Sequence, residues 1–383
     1  MMVPSRIARF LFAGGGTGGH LYPAIAIAER LMELLKDKVQ VEIRFVGTKR
    51  GLEYRIKDSL GYPLYLINVR GLARTFTLKN LLVPFLLIGS LIKSYGLIKK
   101  FSPDIVVGTG GYVALPVLKA AAMNNVTTVL QEQNSFPGIT TRKSAPHASR
   151  IYLGFEKAAE YLQTKGEIKV TGNPVRRTIN QGDRAKAARR YNLDPEKKTI
   201  LVMGGSQGAR VINQAVTKNV KEGRPSDEFQ LLWQTGKMDY KDVTASVGEK
   251  AGRAIFPFAT DMASVYALAD VVIARAGAIS LAELEACALP SILIPYLLAA
   301  GDHQTKNAED FSARGYAKVI HEKDLDDTDL LNEAETIISS GQLAAMKATM
   351  QRDIAGRKPA VDVIAEDIIK LLTDTESREA SID

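Results

Sequence analysis

The stretch Phe10-Leu-Phe-Ala-Gly-Gly-Gly-Thr-Gly-Gly-His20 places an apolar run directly before five glycines, and an amphipathic segment follows at once. This order predicts a buried strand, a tight turn and a helix. Glycines let the backbone approach a ligand closely, and a helix N-terminus adds N–H groups and a partial positive charge. The stretch therefore predicts a phosphate site of the kind that binds a nucleotide diphosphate.

The first half of the chain alternates apolar runs with helical patterns. Segments 24–35 and 115–123 carry apolar residues at helical spacing. The runs predicted as strands are 7–13, 41–46, 64–69, 105–107, 127–131 and 150–153. Strands that alternate with helices predict a parallel, doubly wound α/β sheet.

Gly172-Asn-Pro-Val-Arg-Arg177 interrupts this alternation, which restarts with a strand at 199–203 and the turn Gly204-Gly-Ser-Gln-Gly208. Further strands are predicted at 229–233, 253–256, 271–274 and 291–294. We expect two Rossmann-like domains, 1–177 and 178–359, with a C-terminal helix from about 360 that packs back on the first. Ligands of such sheets bind outside the carboxyl ends of the strands, so two facing domains would form a deep cleft.

Composition and charge limit the kinds of site and partner that the protein can have. The chain is 46% hydrophobic and 24% charged, as in ordinary globular proteins. Its one cysteine, Cys287, excludes an internal disulfide, and the four histidines lack zinc-site spacing. No Asp-x-Asp pair lies at the end of a predicted strand, so no site for a bridging Mg²⁺ is expected. No cofactor is expected either. Residues 1–177 carry a net charge of +14 and the remainder −6, which suggests an anionic partner for the first half.

Gly14-x-Gly16-x-x-Gly19 also matches the dinucleotide-binding fingerprint. A nicotinamide site would require an acidic residue at the end of the second strand to bind the ribose. That strand ends Phe45-Val-Gly-Thr48, without an acid. An oxidoreductase is therefore the weaker alternative.

A second glycine turn, Gly108-Thr-Gly-Gly-Tyr112, follows the strand predicted at 105–107. It falls on the same sheet edge as the first turn and predicts a site for a second anionic group, such as an acceptor diphosphate. The alternative is that the glycines only turn the chain. The residues assigned to this acceptor-diphosphate site are Gly14, Gly15, Gly16, Gly108, Gly110, Gly111 and Tyr112.

Three polar positions carry candidate roles. A helix N-terminus keeps the His20 imidazole neutral, so His20 is either a general base or a residue that caps the helix or contacts phosphate. Glu283 follows the small-residue turn Arg275-Ala-Gly277 and either accepts ribose hydroxyls or only favours a helix N-terminus. His303 and Gln304 fall on the same edge of the second sheet.

The most apolar segment, 81–92, is too short to span a membrane and has basic flanks. It predicts either a buried helix or a segment, within about 72–100, that lies on an anionic membrane surface.

Together these motifs resemble the MurG family, the bacterial peptidoglycan N-acetylglucosaminyltransferases with the GT-B fold. The resemblance runs from Ala13 to about Gly315. It rests on an ordered set of motifs: Gly-Gly-Thr-Gly-Gly-His20, Gly-x-Gly-Gly-Tyr112, Glu-Gln-Asn134, Gly-Asn-Pro-Val-Arg176, Gly-Gly-Ser-Gln-Gly-Ala-Arg210 and His-Gln304 before Asn307-Ala308.

The resemblance implies an inverting transfer of N-acetylglucosamine from UDP-N-acetylglucosamine to undecaprenyl-diphosphate-linked muramyl pentapeptide (lipid I), which yields lipid II. It implies an N-terminal domain that binds acceptor and membrane, and a C-terminal domain that binds the UDP-sugar. The expected location is the cytoplasmic face of the bacterial membrane, as a peripheral protein. Contacts with other cell-wall synthesis proteins are expected and a nucleic-acid partner is not.

By the same match, Asn134 and Gln304 would contact the donor sugar, Arg176 and Ser206 its diphosphate, and Glu283 the ribose. Ala259 would meet uracil through its backbone, although the family commonly has a bulkier residue there. The full donor set is Thr17, Gly18, Gly19, Asn134, Arg176, Ser206, Ala259, Ala278, Ile279, Ser280, Leu281, Ala282, Glu283 and Gln304.

Two rivals remain from the residues alone. A related glycosyltransferase could act on diacylglycerol, but the glycine turn at 108–112 favours an acceptor with a diphosphate. A non-catalytic protein of the lipid surface would not need two nucleotide-type turns.

Overall fold

The computed structural model describes residues 7–70, 83–205 and 208–379. The chain divides into two compact units. Met1–Val175 and Lys358–Asp383 form the first unit, and Arg176–Arg357 form the second.

A parallel sheet of seven strands, in the order β3-β2-β1-β4-β5-β6-β7, forms the centre of the first unit. Its strands are β1 Ile7–Gly14, β2 Gln40–Gly47, β3 Leu64–Leu66, β4 Ile105–Gly110, β5 Thr127–Glu132, β6 Arg150–Leu153 and β7 Glu167–Val170. The strand order reverses between β1 and β4, which is where doubly wound sheets bind ligands.

Helices cover both faces of this sheet. They are α1 Gly18–Leu35, α2 Leu52–Arg55, α3 Val83–Phe101, α4 Gly111–Met123, α5 Ile139–Ser144 and the C-terminal α14 Ala360–Glu379. The side chains of β1 alternate between the two faces of the sheet. Phe10 and Phe12 lie in the core beside α1 and α14, and Leu11 and Ala13 lie in the core beside α3 and α4. A strand that is apolar on both faces is typical of a parallel sheet covered on both sides.

Buried ion pairs hold α14 on the first unit. Asp362 pairs with Arg30 at 2.8 Å, and the buried Asp367 lies 3.0 Å from Arg150 and 2.6 Å from Lys169. The chain therefore returns to its first unit after completing the second.

The second unit has a parallel sheet in the order β10-β9-β8-β11-β12-β13. Its strands are β8 Lys198–Met203, β9 Phe229–Gln234, β10 Arg253–Phe256, β11 Val271–Ala274, β12 Ser291–Leu293 and β13 Ala317–Val319. Its helices are α6 Arg184–Tyr191, α7 Arg210–Lys221, α8 Tyr240–Val247, α9 Met262–Leu268, α10 Ala278–Ala286, α11 His303–Ala313, α12 Leu330–Ser339 and α13 Gln342–Ile354. The turn after β8 and the turn after β11 thus lie side by side, as their counterparts do in the first unit.

The prediction of two doubly wound parallel sheets is confirmed, and each run predicted as a strand contains one. The third strand is shorter than expected, ending at Leu66. Strands β7 and β13 were not predicted. Both lie at a sheet edge, where one partner and partial solvent exposure weaken the apolar pattern.

Helix α3 buries one face and exposes the other. Its apolar side chains Phe85, Ile88, Ile92 and Tyr95 are exposed and recur at helical spacing. Within the described residues, no helix has the length and apolar character needed to cross a membrane. Residues 71–82 of the predicted membrane segment lie outside the described part of the chain.

Candidate functional site

In the first unit, the turns after β1 and β4 lie in direct contact. The hydroxyl of Thr109 donates to the carbonyl oxygen of His20 at 2.7 Å, and a Cβ at Gly14 would lie 1.7 Å from Thr109 Oγ1. Gly16 adopts φ +89°, and a Cβ there would lie 2.9 Å from the Tyr112 ring. Both turns predicted for the acceptor diphosphate therefore meet at one place on the sheet edge.

The buried Glu53 holds this place together, and the sequence reasoning missed it. Its carboxylate accepts the backbone N–H groups of Gly16 and Thr48, both at 2.8 Å. A Cβ at Gly47 or Gly51 would lie within 2.3 Å of that side chain. The signal in the sequence was a glutamate that follows two closely spaced glycines, Gly47 and Gly51, which leave room for a buried carboxylate.

His20 lies against the second glycine turn. Gly110 has φ +97°, and a Cβ there would lie 2.8 Å from His20 Nδ1. The side chain thus rests on a backbone surface that a larger residue would block. Glycine at position 110 therefore leaves the space that the His20 side chain occupies.

The two neighbours of His20 Nδ1 determine which ring nitrogen carries the hydrogen in the neutral imidazole. They are the backbone oxygen of Thr109 at 3.0 Å and Gln133 Oε1 at 2.9 Å. Because a carbonyl oxygen only accepts, Nδ1 carries the hydrogen in the neutral ring. Nε2 then keeps its lone pair and can accept a proton.

Asn134 follows β5 and is held by the buried Glu132. Glu132 Oε1 accepts both the backbone N–H of Asn134, at 3.1 Å, and its Nδ2, at 3.2 Å. The other carboxylate oxygen accepts the N–H of Gly138 at 3.0 Å. The side-chain amide of Asn134 is therefore fixed at the same sheet edge as His20. Thr17 and Gly19, at the start of α1, are exposed, and Gly18 is half-buried.

In the second unit, Gln234 links the glycine turn after β8 to Ala259. Its Oε1 accepts the Ala259 N–H at 2.8 Å, and its Nε2 donates to the Gly205 oxygen at 3.4 Å. Because the Ala259 N–H already donates to Gln234, a backbone contact with uracil would have to use the Ala259 carbonyl oxygen. Ser206 lies outside the described residues.

Helix α10 begins after the turn at Gly277 and carries the predicted ribose-binding residue. Glu283 accepts a 2.8 Å hydrogen bond from Tyr266, a residue that the sequence did not single out. Burial raises the pKa of Glu283 to about 7, although the Tyr266 hydrogen bond and the charge of Arg176 both favour the ionised form. Burial and the neighbouring Glu283 raise the Tyr266 pKa well above its usual value, so Tyr266 stays a donor. The structure thus brings together Arg176, Tyr266 and Glu283.

The remaining donor candidates occupy the same edge of the second sheet. Gln304 Oε1 accepts the Tyr296 N–H at 3.1 Å, and Asn307 Nδ2 donates to the Ala276 oxygen at 3.3 Å. Ser280 and Ala282 are half-buried beside Glu283, whereas Ala278, Ile279 and Leu281 are buried. No cluster of metal-ligating side chains occurs in the described ranges.

Comparisons with known proteins identify the family to which the chain belongs. The model of the glycosyltransferase family 28 N-terminal domain matches residues 10–153, and that of the C-terminal domain matches residues 199–365. A UDP-N-acetylglucosamine–N-acetylmuramyl-(pentapeptide) pyrophosphoryl-undecaprenol N-acetylglucosamine transferase of Chlorobium limicola is 42% identical over 89% of this chain and 96% of its own length. The enzyme of the same name from Chlorobium luteolum is 41% identical over 91% of this chain and 97% of its own.

Among solved structures, MurG of Acinetobacter baumannii matches with a TM-score of 0.70 and 23% identity, over 95% of this chain and 99% of that protein. The predicted GT-B fold and the resemblance to the MurG family are confirmed. The chain therefore belongs to glycosyltransferase family 28.

Proposed function

We propose that this chain transfers N-acetylglucosamine from UDP-N-acetylglucosamine to the 4-hydroxyl of the muramyl sugar of lipid I, forming lipid II. The observation that carries the proposal is the activity in the names of relatives that are 41–42% identical across both units. The transfer would invert the anomeric centre in a single displacement.

In this mechanism the acceptor oxygen forms a bond to the anomeric carbon while the bond from that carbon to the UDP oxygen breaks. UDP leaves with the bonding electron pair, and the hydroxyl proton passes to His20 Nε2. His20 suits this role because its Nδ1 hydrogen faces two oxygens. A positioned base of this kind contributes typically about 10²–10⁴-fold to the rate.

The second unit would bind the nucleotide. Glu283 would accept the ribose hydroxyls, Arg176 would neutralise the diphosphate, and the turn after β8 would supply N–H groups to it. In the first unit, the adjoining glycine turns with Tyr112 would bind the acceptor diphosphate. These roles rest on the contacts described above and on the family resemblance.

The decisive assay is UDP release from UDP-N-acetylglucosamine with a lipid I analogue, with diacylglycerol as the control acceptor. We expect turnover with the analogue alone. Turnover with diacylglycerol would refute the proposed substrate, and so would the absence of turnover with both acceptors.

A nicotinamide enzyme is disfavoured by the surroundings of β2. The buried Glu53, five residues after Thr48, has its carboxylate occupied by the N–H groups of Gly16 and Thr48. It is therefore not available to bind a ribose.

We further propose that α3 docks on an anionic phospholipid surface, the cytoplasmic face of the bacterial membrane. The exposed stripe Phe85, Ile88, Ile92 and Tyr95 supplies the apolar contact. Beside α3 lies a cavity of about 340 Å³, lined in part by Lys49, Arg50 and Lys93. These cations form no ion pair with any described side chain and suit lipid phosphates.

Ile92, which is 67% exposed, tests this proposal through Ile92→Glu in vesicle co-sedimentation. The matched control is Met238→Glu, since Met238 is an equally apolar side chain, 78% exposed, in the second unit. We expect Ile92→Glu to reduce binding to anionic vesicles at least severalfold and Met238→Glu to leave it unchanged. Equal binding to neutral and anionic vesicles, insensitive to salt, would contradict docking through charge.

A further inference from the structure

Three residues with buried side-chain amides form a hydrogen-bonded group, one member of which contacts His20. They are Gln131 in β5, Gln133 directly after β5, and Asn173, two residues before the chain passes from the first unit to the second at Val175. Gln131 Nε2 donates to Asn173 Oδ1 at 3.0 Å, and Asn173 Nδ2 donates to the Gln133 backbone oxygen at 2.9 Å. Buried amides that satisfy one another in this way are held in one orientation.

The surroundings of Gln133 leave only one orientation for its side chain. Its Nε2 faces the backbone oxygens of Thr109, at 2.9 Å, and Gln131, at 3.1 Å, and it also contacts Gln131 Oε1. Oxygens of this kind only accept, so the amide nitrogen must lie on that side. The amide oxygen therefore points to His20 Nδ1.

We propose that Gln133 is a positioning residue that holds His20 in its Nδ1–H tautomer and leaves Nε2 to accept the proton. The other neutral tautomer would place the Nδ1 lone pair against two oxygens, with no hydrogen between them. Asn173 and Gln131 act one step further back, because they hold Gln133. The catalytic consequence rests on the proposed function, whereas the tautomer is a property of the protein without substrate.

The tautomer is measured directly by long-range ¹H–¹⁵N NMR of protein with ¹⁵N-labelled histidine. The His20 signals among the four histidines are identified by their loss in His20→Gln. We expect a protonated Nδ1 and an unprotonated Nε2 in the wild type, and a measurable Nε2–H fraction in Gln133→Met. An Nε2–H wild type, or a Gln133→Met protein with an unchanged tautomer, would overturn the proposal. An Nε2–H wild type would overturn the proposal even if the variant does not fold.

The matched control is Gln230→Met, because Gln230 is also buried and hydrogen-bonded, to Asp194 and Thr199 in the second unit. It should leave the His20 signals unchanged. In the UDP-release assay we expect Gln133→Met to lower kcat by about 10- to 100-fold, less than the loss of the whole base. The KM for UDP-N-acetylglucosamine should stay unchanged.

The two proposals fail separately. Absence of UDP release from the wild type with the lipid I analogue would refute the proposed function. The change of the His20 tautomer between the wild type and Gln133→Met, measured without substrate, decides the role of Gln133.

Discussion

Glu283 should couple donor binding to pH. Its pKa of about 7 arises because burial penalises the carboxylate more than Tyr266 and Arg176 favour it. If the ionised form binds the ribose hydroxyls, affinity for UDP-N-acetylglucosamine should fall about tenfold between pH 8 and pH 6, as the ionised fraction falls. UDP-N-acetylglucosamine is a suitable ligand for this measurement, because its diphosphate is a diester that does not titrate between pH 6 and pH 8.

Glu283→Gln should remove this pH dependence. At pH 8 it should also weaken binding by about 10- to 100-fold, because a hydrogen bond to a charged group contributes roughly 1.5–3 kcal/mol. Tyr266→Phe provides the matched test, since loss of the 2.8 Å hydrogen bond should raise the Glu283 pKa and move the transition to higher pH. Calorimetric titration at intervals between pH 5.5 and 8.5 measures all three proteins.

The same substitution should act on stability in the opposite direction. The folded protein raises the Glu283 pKa from 4.5 to about 7, so the favourable contribution is complete below pH 4.5 and is lost as pH rises through 7. Glu283→Gln should therefore stabilise the second unit at pH 8, by at most about 3 kcal/mol at roughly 1.36 kcal/mol per pKa unit, and have little effect at pH 4.5. A Glu283→Gln protein with wild-type pH dependence in both binding and unfolding would refute this reasoning.

Three further predictions follow from individual contacts. Gly110→Ala should lower kcat by about 10²–10⁴-fold, because its Cβ would displace the base; Gly61→Ala, also at positive φ but with no atom near its Cβ, should stay active. Asp367→Ala should destabilise the first unit by about 1–3 kcal/mol in urea unfolding, as Tyr152 loses its buried acceptor while Arg150 and Lys169 keep Glu167 as a partner; Glu366→Ala, from a more exposed pair, should cost less than about 1 kcal/mol. Cys287, whose pKa burial and then Glu283 raise to about 12, should resist alkylation at pH 8 and react faster in Glu283→Gln; rapid wild-type alkylation would contradict this.

Local pattern determined the architecture. Apolar runs alternating with helical patterns predicted two parallel sheets, and the glycine turns after β1, β4 and β8 marked the edge of each sheet that carries candidate residues. Such inference works because strand burial and turn geometry depend on residues close together in sequence. The edge strands β7 and β13 escaped it, since a single partner leaves a weaker apolar signal.

The side chains that support the candidate residues become visible only in the folded structure. Glu53 with Gly16, Gln133 with His20 and Tyr266 with Glu283 are 37, 113 and 17 residues apart in sequence. Hydrogen bonds across such separations leave no periodic pattern in the sequence. The sequence could therefore identify His20 as a candidate base, but it could not predict which tautomer His20 adopts. It could nominate Glu283 for the ribose but not its pKa, because that depends on burial and partners that exist only after folding.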